Sequence, residues 1–277
     1  MKFTGERFLP ELTGQIRLEH LNRYHFVIHQ IDLSGKIVLD IASGEGYGSD
    51  LLAKFSLKVF GIDIDQETVF HAKNNYQRDN LTFIQGNATS LPLTDHSVDV
   101  VVSFETIEHH NRHEEMCAEI KRVLKPEGVL IISSPDRYYY SDSRHHKNDY
   151  HIRELYYEEF MDLINSYFKK TRFYSQRIFV GSMIFYDGAG NHYAKPLLME
   201  ADCSANDFTP LYNIAVATDG AELKGMRQIF LYKEFDYIMT KRDLDRKVGE
   251  ILDSKTYRLG YFLTYPFRLL RKLLING

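Results

Sequence analysis

The sequence predicts an α/β fold built on a doubly wound, mostly parallel sheet, and three observations carry that prediction. Apolar runs recur around Val38–Ile41, Val59–Ile62, Leu81–Ile84, Val98–Phe104 and Val129–Ser133, separated by stretches able to hold a crossover helix. Runs of that kind, apolar on both faces, suit parallel strands covered on each side. The first run leads through Ser43-Gly44-Glu45-Gly46-Tyr47-Gly48 into helix formers, and the second ends in an acid, Asp63. Strand, glycine-rich turn, helix, strand and terminal acid are the parts of a nucleoside-binding βαβ unit.

Taken in order, residues 1–35 form an N-terminal extension, helical from Arg17 to Ile31. Residues 36–220 form the sheet domain. After its fifth strand, residues 135–152 are polar and aromatic and are not expected to be regular. Glu154–Phe168 has helical spacing, with Leu155, Phe160, Leu163, Ile164 and Phe168 as core contacts. Lys170–Val180 and Leu211–Thr218 read as a closing antiparallel pair, and Gly181–Pro210 between them as a long loop able to cover a substrate. Residues 221–277 form a C-terminal helical tail. Within it, 257–274 spaces apolar residues helically among basic ones, with Pro266 as a break. Such a segment either lies on an anionic membrane surface or docks on the domain or a second copy of the chain.

The glycine turn selects among nucleoside ligands. Its glycines fall at 44, 46 and 48, and Asp40 and Glu45 place negative charge beside it. A pyrophosphate would be repelled there, whereas a ligand bearing an ammonium and a sulfonium would be favoured. The turn, with Asp63, Asn87-Ala88 after the third strand and Leu124-Lys125-Pro126-Glu127-Gly128 before the fifth, resembles class I S-adenosylmethionine-dependent methyltransferases over residues 36–135. The resemblance implies a seven-stranded Rossmann-like sheet and S-adenosyl-L-methionine as cofactor. The cofactor-binding residues expected on this basis are Arg17, Asp40, Ala42, Gly44, Gly46, Asp63, Ile64, Asn87, Ala88 and Phe104. Arg17 would face the methionine carboxylate, and Asp63 the ribose hydroxyls. Asn87 stands where the family usually has Asp, and its amide oxygen remains able to accept from the adenine amino group.

Methyl transfer to oxygen benefits from a base worth roughly 10²–10⁴-fold. His109, following the fourth strand in Glu105-Thr106-Ile107-Glu108-His109-His110, and His151, at a helix start, are the catalytic candidates. His109 has a structural alternative, a histidine bonded to a neighbouring loop, whereas His151 would face back toward the core. No metal is expected, because His145, His146, Asp149 and His151 lack the His-x-Glu or His-x₃-His spacing of a ligand set.

A narrower resemblance rests on Thr-Gly-Glu-Arg-Phe-Leu-Pro (4–10), Gly-Gln-Ile-Arg-Leu-Glu-His (14–20), Ser-Pro-Asp-Arg (134–137) and Asp-Tyr-His-Ile-Arg-Glu-Leu (149–155). These are similar to bacterial methyltransferases of O-antigen and surface-polysaccharide gene clusters. They imply a sugar hydroxyl or terminal phosphate of a glycan precursor as acceptor, and a cytoplasmic enzyme working at the inner membrane face. Two other classes stay open: O-methylation of a quinone or small aromatic acceptor, and a non-catalytic nucleoside-binding scaffold.

Composition removes other classes. Residues 255–277 hold +5 of a net charge of −4, so the other 254 carry −9, and an acidic body argues against nucleic-acid binding. Cys117 and Cys203 share no metal-ligand spacing and read as free thiols. No apolar run reaches the ~20 residues of a membrane-spanning helix, and a homodimer is compatible with the tail.

Overall fold

A computed structural model describes residues 15–177 and 210–220, with only the backbone at 15–17. Contacts group the chain into Met1–Tyr232 and Lys233–Gly277, and every described residue belongs to the first. The elements are α1 (Gln15–Gln30), β1 (Ile37–Ile41), α2 (Tyr47–Ala53), β2 (Lys58–Asp63), α3 (Gln66–Asn75), β3 (Leu81–Gln85), β4 (Val98–Ser103), α4 (His113–Val123), β5 (Leu124–Pro135), α5 (Tyr157–Tyr167), β6 (Lys170–Gln176) and β7 (Tyr212–Thr218). They form one seven-stranded sheet in the order β3-β2-β1-β4-β5-β7-β6, as the resemblance implied. The first five strands run parallel, and β7 inserts antiparallel between β5 and β6.

Strand pleating sends alternate residues to opposite faces, and two apolar cores result. Leu39, Val101, Leu130 and Ile132 join Met116 and Ile120 of α4 and Phe160 and Ile164 of α5 on one face. Val38, Val100, Val102 and Ile131 join Tyr24 and Val27 of α1 and Leu52 of α2 on the other. α4 buries Met116, Cys117, Ile120 and Val123, the spacing of an amphipathic helix. α3 starts at Asp65, whose carboxylate accepts from the backbone N–H groups of Glu67 and Thr68. α1 is part of this core rather than an appendage, and Gly48 makes its approach possible. A Cβ there would stand 2.0 Å from Cζ of Tyr24.

Four expectations differ, the first being that β5 already begins at Leu124, so the Leu124–Gly128 stretch expected before it is part of the strand. The helix expected from Glu154 begins at Tyr157, so Leu155 is buried just ahead of it. β6 ends at Gln176. The supposedly irregular 135–152 segment contains a π-helical turn, Tyr138–Asp142, anchored by Asp136, which accepts from the Tyr139 and Tyr140 N–H groups through its side chain and carbonyl. The Gly181–Pro210 loop up to residue 209, the 221–277 tail, Cys203 and the 4–10 motif lie outside the described residues. Among the described residues no helix is long and apolar enough to cross a membrane.

Candidate functional site

In open α/β sheets ligands sit beyond the carboxyl ends of the strands, where strand order reverses. Here the order reverses between β1 and β4, and a cavity of about 1110 Å³ opens there. It is walled by α1, the turn after β1, the ends of β2 and β3, the segment after β4, residues 140–151 and the start of β7.

At one end the glycine turn is tied to the second strand. Asp63 accepts from Gly44 N–H through Oδ2 and from Asp65 N–H through Oδ1, each at 2.9 Å. Gly46 has φ +92°, and a Cβ there would meet Phe83 Cζ at 2.7 Å, so both conformation and space demand glycine. A Cβ on Gly44 would meet nothing within 4 Å. Ile64 lines the cavity and is 65% exposed, an apolar surface next to the Asp63 carboxylate. Ser43 Oγ and Glu45 Oε1 are buried without hydrogen-bond partners, while Glu45 Oε2 pairs with His71 Nε2 at 2.7 Å.

Of the expected cofactor residues, Ala42, Gly44, Asp63, Ile64, Asn87, Ala88 and Phe104 line the cavity together. Gly46 shapes the turn from beneath, and the side chain of Arg17 lies outside the described residues. Two expectations need correction. Asn87 Oδ1 already accepts from both the N–H and the hydroxyl of Thr89, so it does not offer a spare acceptor toward adenine. Asp40 does not face the cavity. It is fully buried, accepting from Ser49 Oγ at 2.7 Å and Tyr24 OH at 3.3 Å. Its direct role is to lock α1 and α2 onto β1.

Burial pushes the Asp40 carboxyl up to about 7, against the lowering effect of its two hydrogen bonds. Its proton is therefore held more tightly in the folded than in the unfolded chain. The resulting stabilisation is complete below pH 4 and is lost as pH rises through 7. Asp40→Asn should match the parent near pH 4 and exceed its stability at pH 8 by about 2–4 kcal/mol, measured by urea unfolding at both pH values without ligand.

The other end of the cavity is built on the single 3₁₀ turn Ile107–His109 that follows β4. The Glu108 carbonyl accepts from the N–H groups of Ile152 and Arg153, at 2.8 and 3.1 Å. That tie brings His151 against His109, with ring centroids 5.2 Å apart. His109 Nδ1 lies 3.1 Å from the Tyr150 carbonyl, and His151 Nδ1 lies 2.5 Å from Glu154 Oε1. Each Nδ1 can only donate to such an oxygen, which leaves each Nε2 as the basic nitrogen. Asn148 Nδ2 lies 3.0 Å from His151 Nε2. Glu154 stays below the usual carboxylate range because bonds from His151 and Ser141 outweigh the upward push of burial. Glu108 is 1% exposed, with neither carboxylate oxygen hydrogen-bonded. Burial, and secondarily the charge of Glu105, raise its pKa well above the usual range. Tyr140 stacks on His151 at 5.3 Å and approaches Tyr212 at 5.8 Å, making an aromatic wall.

The third wall is α1, where only Arg17 was expected at the site; Glu19, His20, Arg23 and Tyr24 were not foreseen there. Glu19, His20 and Tyr24 line the cavity, and Arg23 sits behind them, 1% exposed. Arg23 donates from Nε to Gln176 Oε1 at 2.7 Å, stacks 4.4 Å from the Tyr212 ring centroid and lies 3.5 Å from Glu105 Oε1. Glu105 holds a left-handed backbone, φ +49°, fixed by Ser133, whose Oγ accepts its N–H and donates to its carboxylate. The spacing 19, 20, 23, 24 is one helix face, the signal by which these residues were findable.

Seven carboxylates but only two guanidinium groups, of Arg112 and Arg144, line the cavity. Together with the unpartnered Ser43 and Glu45 oxygens and the open space above Gly44, this lining fits a cationic nucleoside such as adenosylmethionine and not a pyrophosphate.

Comparison with known proteins agrees. Residues 39–132 match the family model described as a methyltransferase domain. A probable S-adenosylmethionine-dependent methyltransferase of Mycolicibacterium smegmatis is 38% identical over 170 residues, 60% of this chain and 64% of that protein. One from Mycobacterium tuberculosis is 36% identical over 168 residues, 59% of this chain and 60% of the relative. The chain thus spans somewhat under two thirds of the length of these relatives. A phthiotriol/phenolphthiotriol dimycocerosates methyltransferase of M. tuberculosis is 34% identical over 122 residues, 43% of this chain and 45% of its own. Among solved structures, a SAM-dependent methyltransferase of Thermotoga maritima has a TM-score of 0.52 at 20% identity, covering 73% of this chain and 90% of that one. The YcgJ protein of Bacillus subtilis reaches 0.51 at 18%, covering 73% and 100%. These two share the fold, a Rossmann-like methyltransferase sheet.

Proposed function

We propose that this chain is an S-adenosylmethionine-dependent O-methyltransferase whose acceptor is a sugar hydroxyl of a surface-glycan precursor. The observation that carries the reading is one acidic cavity with two chemically distinct ends, a glycine turn with Asp63 at one and the His109–His151 pair at the other. When bound, adenosylmethionine would supply a methyl group activated on a sulfonium. Asp63 would take the ribose hydroxyls with its remaining lone pairs, and Ile64 would cover the adenine. The carboxylates of the lining favour the donor's net positive charge.

At the other end, the basic Nε2 atoms of His109 and His151 meet the acceptor hydroxyl. Glu154, bonded to His151 Nδ1, fixes that ring and stabilises it when it gains a proton. The Tyr140–Tyr212 wall suits the C–H face of a sugar. Seven carboxylates against two guanidiniums disfavour a phosphate end, so the hydroxyl is the better of the two glycan acceptors. The basic spacing of residues 257–274 supports contact with the inner membrane leaflet. A second reading, a hydroxyl on a lipid, draws on the relatives named for phthiotriol dimycocerosates.

The test is formation of adenosylhomocysteine from adenosylmethionine with nucleotide sugars, lipid-linked glycans and lipid polyols, each offered separately. His151→Gln should lower kcat about 10²-fold while leaving donor affinity unchanged. Turnover with none of these acceptors, or with lipid polyols alone, would refute the glycan assignment.

A further inference from the structure

We propose that Glu108, His109 and His151 bind a divalent first-row metal ion, at the end of the cavity where the acceptor hydroxyl enters. Ligand spacing in the sequence was sought only among His145, His146, Asp149 and His151, and these three ligands instead come from two segments about 40 residues apart. The fold joins those segments through the Glu108 carbonyl. One ligand atom from each residue lies within 4.8 Å of the others. Zinc at ~2.1 Å from nitrogen and oxygen ligands holds them ~3.4 Å apart, so binding requires the three side chains to draw together.

Three features point to a cation rather than to a chance cluster. Glu108 is buried, and both of its carboxylate oxygens lack a hydrogen-bond partner, an arrangement that burial heavily penalises unless a cation or donor meets it. Each histidine has its Nδ1 occupied, by the Tyr150 carbonyl and by the Glu154 carboxylate. Both therefore present Nε2 lone pairs, with the supporting partners that metal-bound histidines regularly have. Two borderline imidazoles and one hard carboxylate make a donor set suited to Zn²⁺, Mn²⁺, Fe²⁺ or Co²⁺ rather than to Ca²⁺, which takes all-oxygen shells.

A tetrahedral ion with three protein ligands keeps a position for an exogenous oxygen. In the methyltransferase reading, on which this catalytic role but not the binding itself rests, that position takes the acceptor hydroxyl. With the ion bound, His109 and His151 act as ligands in place of the base role proposed for them: the metal would lower the hydroxyl's pKa and the proton would leave to water. Asn148 Nδ2, 3.0 Å from His151 Nε2, must turn away when the ion enters.

The test is calorimetric titration of the chelator-treated, tag-free full chain with ZnCl₂ and MnCl₂, followed by the visible spectrum of the Co²⁺ form. One ion per chain is expected. Affinity should drop at least tenfold in Glu108→Gln, which is isosteric, and in His151→Ala, with no change in His29→Ala. That last variant removes the alternative His25–His29 pair on α1, whose rings stack at 6.3 Å. No binding of either metal, or binding indifferent to Glu108→Gln, overturns the site. Adenosylmethionine titrated into the same samples separates the two claims. Donor binding without metal binding sinks only the metal site, and metal binding without donor binding refutes the methyltransferase reading.

Discussion

Replacing Asp63 by alanine is expected to lower affinity for adenosylmethionine by roughly 10²–10⁴-fold. Two hydrogen bonds to a carboxylate, each worth about 1.5–3 kcal/mol, would be lost from the ribose. The substitution also releases Gly44 N–H and Asp65 N–H, the bonds that hold the glycine turn against β2 and shape the start of α3. Asp63→Asn keeps one acceptor oxygen for the turn, so it should lie between parent and alanine variant. Isothermal titration gives the answer directly. An Asp63→Ala chain that remains folded and binds the donor as the parent does would exclude this end of the cavity as the nucleoside site.

Arg23→Ala is expected to destabilise the fold by about 3–5 kcal/mol, a fall in Tm of roughly 10 °C. Arg23 is a buried cation between Glu105, Gln176 and Tyr212, and neither terminal guanidinium nitrogen has a hydrogen-bond partner among the described residues. Cutting it away strands the Glu105 carboxylate in a half-buried site and leaves a hole under Tyr212. Arg23→Met fills much of that volume and should recover part of the loss. Thermal unfolding of the two variants distinguishes packing from charge pairing. Equal, small losses in both would mean that the ion pair contributes little.

The sheet was legible in the sequence because its parallel strands are covered on both faces, and the two cores leave a mark on nearly every strand residue. β1 shows this best: Val38 and Leu39 are each fully buried, on opposite faces. That Ala42, Asp63, Asn87 and Phe104 would gather round one cavity was legible for a related reason, since they close or soon follow β1, β2, β3 and β4. Asp40 misled because a buried acid beside a glycine turn looks the same in sequence whether it faces a ligand or a helix. α1 was read as an extension because its buried face mixes Tyr24, Phe26 and Val27 with Arg23, a charge hidden only by tertiary pairing. No hydrophobic pattern records such a face. The meeting of Glu108 with His151 was equally hidden, resting on main-chain bonds between distant segments rather than on residue types.

The way α1 is held also orders the birth of the molecule. Arg23 grips Gln176, 153 residues later, and Glu19 accepts from the Tyr212 hydroxyl, 193 residues later. β7 supplies the middle of a three-strand ladder, yet it is the last of the described strands to be made. Until residues 212–218 leave the ribosome, β5 has an open edge, β6 has no neighbour, and α1 can seat on β1 and α2 but lacks its partner on β7. Contacts this far apart in the chain form late. The nascent protein therefore carries α1 only partly docked until β7 arrives, and the cavity wall where Glu19 meets Tyr212 is among the last parts of the described fold to close.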